Sequence, residues 1–355
     1  MKNEVLEELA GVRGAPAVSI LCPLDVQRAG NHSDLEVLAT LRSRAAAEVR
    51  AIATDSAASS TMSRVDDALA SLDLQHPTPA VAVFVNPDVS RVVRLGETIE
   101  PEVVVGERFA IRGVLAALLR SPHARAIALW QTGARCIDLN GNAVTERRDF
   151  DFPLELQPPV EADTPHRDFP LSEHAHAEAA KFVLRAVENA LSAVQRHDER
   201  RLVVLGAERD LAYFLELTDQ VSNVVGCVRG NYEHETPAAI AASALHVLAA
   251  HQHEEERRAG DEVRDAIGRH AVSGITDTWT AARRGRGYRL VVEDTFRYQA
   301  HVNGDTLEAA PSDEADTCDA VEDTIQEVIR HGGDVVVVSP DSLSDLGRIA
   351  LLTRY

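Results

Sequence analysis

The sequence predicts an α/β protein of three domains. Three observations support this: a length of 355 residues against roughly 150 per domain, apolar runs of strand length alternating with helical-period stretches, and breaks in that pattern near residues 108 and 255. Hydrophobic residues are 45% of the chain and charged residues 26%, a globular balance that excludes global disorder and a membrane-embedded chain.

In the first segment, 1–108, Val5, Leu6 and Leu9 mark a short helix ended by Gly11 and Gly14, and Ala17 to Cys22 is a compact apolar strand. From Ser33 as N-cap, Leu35, Leu38, Leu41, Ala45 and Val49 recur at helical spacing, and a second helix covers Val65 to Leu72. Ala80 to Val85, Arg91 to Leu95 and Val103 to Val105 then follow as three strands in hairpin order.

The second segment, 109–255, opens with a helix around Val114, closed by Ser121 and Pro122. The strands Ala126 to Trp130 and Ala134 to Leu139 pair about Gly133, and Asn140-Gly141 signals a tight turn. Phe150 to Ser172, rich in proline and without periodicity, reads as one long exposed loop. A helix from Ser172 to about Gln195 carries Phe182, Leu184, Val187, Leu191 and Val194 as its apolar stripe. Strand Leu202 to Leu205, helix Leu211 to Leu217 and strand Val224 to Val228 imply a mixed or parallel sheet covered by helices. A helix with Pro237 in its first turn leads into His251 to Arg269, whose alternating charges predict an exposed connecting helix.

The third segment, 256–355, reads helix (Val272 to Ala282), strand (Arg289 to Val292), acidic loop, helix (Ala320 to Ile329), strand (Val335 to Val338) and a final stretch to Thr353, an α/β/α sandwich.

Fifty-six acidic against thirty-six basic residues give a formal charge of -20, which repels polyanions at long range and excludes wholesale coating of DNA or anionic membrane. Any nucleic-acid contact is therefore local. Lys2 and Lys181 are the only lysines, so single arginines carry little weight and only clusters count. Cys22, Cys136, Cys227 and Cys318 lie far apart with no zinc-site spacing, which reads as reduced thiols. Glu4, Glu7 and Glu8 stand where a secretory signal is basic, and no apolar run reaches the ~18 residues of a span. The expectation is a cytoplasmic protein with no membrane partner.

The stretches LVVLGAERDLAYFLELT from Leu202, GNYEHETPAA, AARRGRGYRLVVEDT and the closing HGGDVVVVSPDSLSDLGRIALLTRY together resemble the bacterial relatives of the archaeo-eukaryotic peptide-chain release factors, a family that includes the rescue factor pelota. The likeness runs from about residue 110 to the end. It implies an N-terminal domain for the decoding site and a ribonuclease-H-like middle domain facing the peptidyl-transferase centre. It also implies a C-terminal domain resembling kink-turn RNA-binding ribosomal proteins, which docks a translational GTPase. Ribosome or ribosomal RNA is the implied partner, with no cofactor.

Release factors carry Gly-Gly-Gln on a middle-domain loop before a long helix, where a backbone amide stabilises ester hydrolysis. Here the equivalent stretch, Asp163 to His176, has neither glycine nor glutamine. The hydrolytic residues are missing, and the implied protein is a non-catalytic paralogue acting in rescue, stalling or hibernation at the acceptor site.

Arg283, Arg284, Arg286 and Arg289 around Gly285 and Gly287 form a basic, glycine-permissive loop suited to phosphates; the same residues also suit a helix C-terminus. His166 and Arg167, in the tip-equivalent stretch, are further RNA or ribosome contacts. His174 and Glu178 have the i, i+4 spacing of two metal ligands, although a polar helix start carries the same residues. Asp305 to Glu327 holds nine acids and no base, so it faces solvent or a basic protein. Two other readings stay open: a metal-dependent nuclease or hydrolase of the middle domain, for which Asp138 is the only acid in the paired strands, and a cytosolic stress or signalling scaffold without ribosome binding. In a purified ribosome assay the protein should leave peptidyl-tRNA intact, and release of the peptide would overturn the non-hydrolytic reading.

Overall fold

The computed structural model describes residues 2–28, 30–157, 173–304, 306–311 and 317–354. It is a mixed α/β protein with four sheets among the described residues. The chain divides into two compact units, 1–121 together with 254–355, and 122–253.

The first unit begins with α1 (Lys2–Gly11), β1 (Ala17–Pro23), α2 (His32–Ile52), α3 (Asp55–Ala70), β2 (Ala80–Val85), β3 (Ser90–Leu95), β4 (Glu102–Gly106) and α4 (Arg112–Arg120). Asn31 rather than Ser33 caps α2, its side chain accepting from the Asp34 amide. Helix α3 starts ten residues earlier than Val65, because its first turns are alanine and serine and carry little apolar signal. The sheet order is β3-β2-β1-β4, so β4 pairs with β1 and not with β3 as the hairpin order implied. Alternation along β1 and β2 sends Val18, Ile20, Val81 and Val83 toward α2 and α3, and Ala17, Leu21, Ala82 and Phe84 into a second core.

Residues 122–253 hold β5 (His123–Trp130), β6 (Gly133–Asn140), β7 (Ala143–Glu146), β8 (Leu154–Glu155), α5 (Glu173–His197), β9 (Arg201–Gly206), α6 (Glu208–Leu217), β10 (Val224–Arg229) and the first part of α7 (Pro237–Ala266). The sheet runs β10-β9-β5-β6-β7, with β5, β9 and β10 parallel and the β5–β6 hairpin antiparallel. Gly141 takes φ +57° in the turn before β7, a backbone angle that Asn-Gly supplies cheaply. Helices α5 and α6 cover one face around Ile127, Leu129 and Val204, and Ile240, Ala241 and Ala244 of α7 cover the other around Ala126, Ala128 and Val203. The described start of the expected exposed loop is anchored at two points: Phe152 and Leu154 are buried in the α5 core and β8 pairs with β6, while Phe150, Asp151, Pro153 and Glu155 are exposed. Phe182 is 43% exposed, and Val183 takes its place in the stripe. The register of the helix turns Phe182 outward because Val183, Val187, Ala190 and Val194 already complete the buried face.

Inside this unit a fully buried Arg125 donates to Asp138 Oδ1 at 2.7 Å and also bonds Gln195, while Arg147 meets Asp138 Oδ2 at 2.8 Å. Burial pushes the Asp138 carboxyl up, but the bonds and charges of Arg125, Arg147 and Arg200 outweigh that and hold it below the usual carboxylate range.

The remainder of the first unit comprises the end of α7, then β11 (Ala271–Ser273), α8 (Ile275–Arg283), β12 (Gly287–Glu293), β13 (Gln299–Asn303), β14 (Thr306–Ala309), β15 (Cys318–Asp319), α9 (Ala320–Arg330), β16 (Asp334–Val338) and β17 (Ile349–Thr353). Val272 belongs to β11, and α8 begins after Gly274. One sheet is ordered β11-β17-β12-β16, and a small sheet β14-β13-β15 occupies the expected acidic loop. Leu290 and Val292 face α8 and α9, while Val291 faces Ala259 and Val263 of α7. The charged end of α7 is thus amphipathic and packed rather than a free connector: two apolar positions four apart suffice to bury one stripe.

Helix α9 corrects the reading of the acidic run. Its carboxylates do not all face solvent: Arg108 pairs with Asp323 and, at 3.2 Å, with Glu327, Arg112 with Asp319 at 3.0 Å, and Arg13 with Glu327 at 2.9 Å. Glu322 Oε1 and Oε2 accept the amides of Ile111 and Arg112 at 2.8 and 3.2 Å, capping α4 from a residue over two hundred positions away. Beneath these bonds Phe109, Ile111 and Val114 share one apolar cluster with Trp279, Val321, Ile325 and Val328. Common burial and this charge seam join 1–121 to 254–355, and α4, expected at the head of the middle segment, lies within this unit.

Arg112→Met, which strands Asp319 and the Phe296 carbonyl in a buried site, should lower unfolding stability by about 3–5 kcal/mol in urea denaturation. For Asp138, whose folded pKa is depressed, the stabilisation is present above the unfolded value of about 3.9 and lost as pH falls below it. The stability gap between wild type and Asp138→Asn should be full above about pH 5 and shrink below about pH 4, measured by denaturation across that range; a pH-independent gap would contradict the charged pair.

Candidate nucleic-acid interface

The α8–β12 loop is built by its glycines. Arg283 is the last residue of α8, Arg284 its C-cap, and Gly285 at φ +67° reverses the chain so that the Arg286 amide bonds back to Ala281. A side chain at Gly285 would also run into the His331 ring, 3.0 Å from an added Cβ. Arg283 and Arg284 are exposed, and Arg286 is half-buried. Arg283 lies over the Trp279 ring at 4.5 Å and donates to the Gly304 carbonyl at 2.9 Å, so its guanidinium is positioned without its charge being cancelled by those contacts. Arg289 differs. It pairs with Glu262 at 2.9 Å and Asp334 at 3.3 Å; its partial burial opposes the charge, but these acids prevail and raise its pKa. Arg289 therefore belongs to the fold of β12 more than to a phosphate site.

The structure adds three cationic or ionisable groups that linear spacing did not show. The Arg354 amide bonds the Arg286 carbonyl at 2.9 Å and its side chain bonds the His331 carbonyl at 2.6 Å, which brings Arg330, His331 and Arg354 to the same edge as the arginine loop. The sequence signal was Arg330-His331-Gly332-Gly333 at a helix end, visible but 44 residues beyond Arg286 in chain order. Glu327 tempers this edge: burial raises its pKa, but Arg330, Arg108 and Arg13 together hold it low and ionised. The result is an edge where arginine side chains from three segments stand side by side, while the turn amides are already engaged by backbone carbonyls; any phosphate chemistry there belongs to the guanidinium groups.

His166 and Arg167 lie outside the described residues, as does most of the tip-equivalent stretch. His174 falls in the first turn of α5, with its side chain outside the description, and Glu178 pairs with Lys181 at 3.1 Å. Among the described residues no three His, Cys, Asp or Glu side chains gather to hold a metal ion. Asp138 is engaged by Arg125 and Arg147, which leaves it a structural anion. No helix among the described residues is long and apolar enough to cross a membrane.

Residues 126–286 match the model of bacterial archaeo-eukaryotic release factor family 3, a stretch that ends on Arg286 in the arginine loop. No curated protein matches the chain. Similar solved structures include the archaeal translation termination factor aRF1, 16% identical over 100% of this chain and 97% of that one with a TM-score of 0.27. They include Dom34 of S. cerevisiae, 13% identical over 75% and 73% with a TM-score of 0.41, and Pelota of Archaeoglobus fulgidus, 13% identical over 99% and 92% with a TM-score of 0.37. Over residues 126–286, then, the chain is similar to the release-factor-like proteins of bacterial archaeo-eukaryotic release factor family 3.

Proposed function

We propose that this protein is a non-hydrolytic, ribosome-associated release-factor paralogue that acts in rescue, stalling or hibernation at the acceptor site. The observation that carries the reading is the family match over 126–286 in a chain whose tip-equivalent stretch, 163–176, has no Gly-Gly-Gln. Loss of that tripeptide removes the group that aligns hydrolysis while leaving the frame that binds. The arginine loop supplies the local contact that a chain of charge -20 needs to approach RNA. A translational GTPase is the partner that the release-factor frame implies, and a cytoplasmic location follows from the same role.

Sedimentation of extracts from growing and starved cells through sucrose gradients tests this directly. The wild-type protein should travel with ribosomal particles, and Arg283→Ala/Arg284→Ala/Arg286→Ala should shift toward the top of the gradient. With purified components, the triple variant should flatten the dependence of log affinity on log salt by about 2–3 units if each arginine meets a phosphate. Wild-type protein that stays at the top in both growth states would refute ribosome association.

A further inference from the structure

At the carboxyl ends of the parallel strands β5, β9 and β10 the 122–253 unit opens into a cavity of about 440 Å³. Crevices at this end of an open α/β sheet are where such folds hold small molecules. Trp130 ends β5 and lines the cavity, together with Gln131, Thr132, Asn231 and Glu233. Asp210, in the first turn of α6, also lines it; it is 7% exposed and has no hydrogen-bond partner among the described residues. Its carboxylate is not among the enclosed polar atoms left without a partner, so solvent in the cavity reaches it, and a ligand with a donor group would meet there an acceptor that no protein group occupies.

The lining restricts the class of that ligand. It contains no Lys, Arg or His and two carboxylates, Asp210 and Glu233, which repel a phosphate. A fixed organic cation is opposed by the positive end of α6 and by Arg209, whose charge acts on Asp210 and whose guanidinium lies 5.5 Å over the Tyr213 ring. Burial raises the Asp210 pKa against that charge, which makes its carboxylate a strong acceptor for neutral hydroxyls. The indole of Trp130 offers a flat apolar wall for a ring, and the side-chain amides of Gln131 and Asn231 add neutral hydrogen bonding.

We infer that this cavity binds an unphosphorylated ribonucleoside, its ribose hydroxyls donating to Asp210 and its base lying against Trp130. The inference stands on the 122–253 unit alone and is independent of ribosome association.

Isothermal titration of the full chain with adenosine, guanosine, cytidine and uridine is the test, run beside AMP, 2′,3′-dideoxyadenosine and putrescine. At least one ribonucleoside should bind saturably, with the 5′-phosphate weakening it and putrescine not competing. Removal of the ribose hydroxyls or Asp210→Asn should each cost roughly tenfold or more in affinity, and the two losses should not add. In ¹H–¹⁵N spectra the Trp130 indole signal should move on binding and that of buried Trp279 should not. The inference is overturned if no ribonucleoside binds, if AMP binds as tightly as adenosine, if putrescine binds in its place, or if Asp210→Asn leaves affinity unchanged. Should Asp210→Asn not fold, adenosine against dideoxyadenosine on wild type decides the matter.

Discussion

The docking of acidic helix α9 onto the arginines and the exposed helix start of residues 108–112 is the constraint on which the larger unit depends. Arg108 and Arg112 are held close to apolar side chains, where an unpaired guanidinium is unfavourable, and Asp319, Glu322, Asp323 and Glu327 supply the charges and acceptors they need. The same contacts solve a second problem. Helix α4 has Ile111 as its N-cap residue, which offers no capping side chain, and Glu322 provides one from α9. Trp279 ties α8 into the arrangement through its indole N–H, which donates to Asp323 Oδ2 at 2.7 Å. Apolar burial drives the association, and the charge pairs favour the register in which Asp319, Asp323 and Glu327 meet Arg112 and Arg108.

Residues 122–253 use the same chemistry toward a different end. The single carboxylate of the β5–β6 hairpin is surrounded by Arg125, Arg147 and Arg200, a set that stabilises an anion and leaves no vacancy for a divalent cation. A two-cation nuclease centre needs several converging carboxylates, and that hairpin presents one carboxylate already matched by arginines. What this unit presents instead is the cavity beside Asp210, where a carboxylate lacks the partners that Asp138 has. Two aspartates of similar burial thus shift in opposite directions: arginine bonds hold Asp138 low, whereas burial raises Asp210 against the single charge of Arg209.

The strongly acidic composition and the arginine loop are compatible because they act over different distances. Net charge sets the long-range field, which salt screens beyond about 8 Å, whereas contact with phosphate is decided by the few groups within hydrogen-bond reach. Much of the acidity near the loop is spent internally, on Arg289 by Glu262 and Asp334 and on Arg330 by Glu327. This lets a basic edge persist in a chain of charge -20.

Local pattern made a large part of the fold legible. The apolar runs at Ala80 to Val85 and Leu202 to Leu205 became strands as read, buried on both faces, and the stripe from Leu184 to Val194 became a helix that buries one face. The Arg283 to Arg286 cluster was equally visible, because helix end, glycine and arginine are neighbours in sequence. Weakly apolar or short elements were not: the first turns of α3, β11 and the β14-β13-β15 sheet take their structure from what they pack on. The sequence by itself determined the alternation of strand and helix and the chemistry available in each segment, because those depend on residues within a few positions of one another. Tertiary structure alone decided that β4 joins β1, that the acids of α9 meet Arg108 and Arg112, that Arg354 and His331 reach the arginine loop, and that Asp210 lines a cavity while Asp138 is bonded by arginines. Each of those joins residues tens to hundreds of positions apart, and long-range pairing is chosen by the burial and charge matching of whole surfaces, which no local window contains.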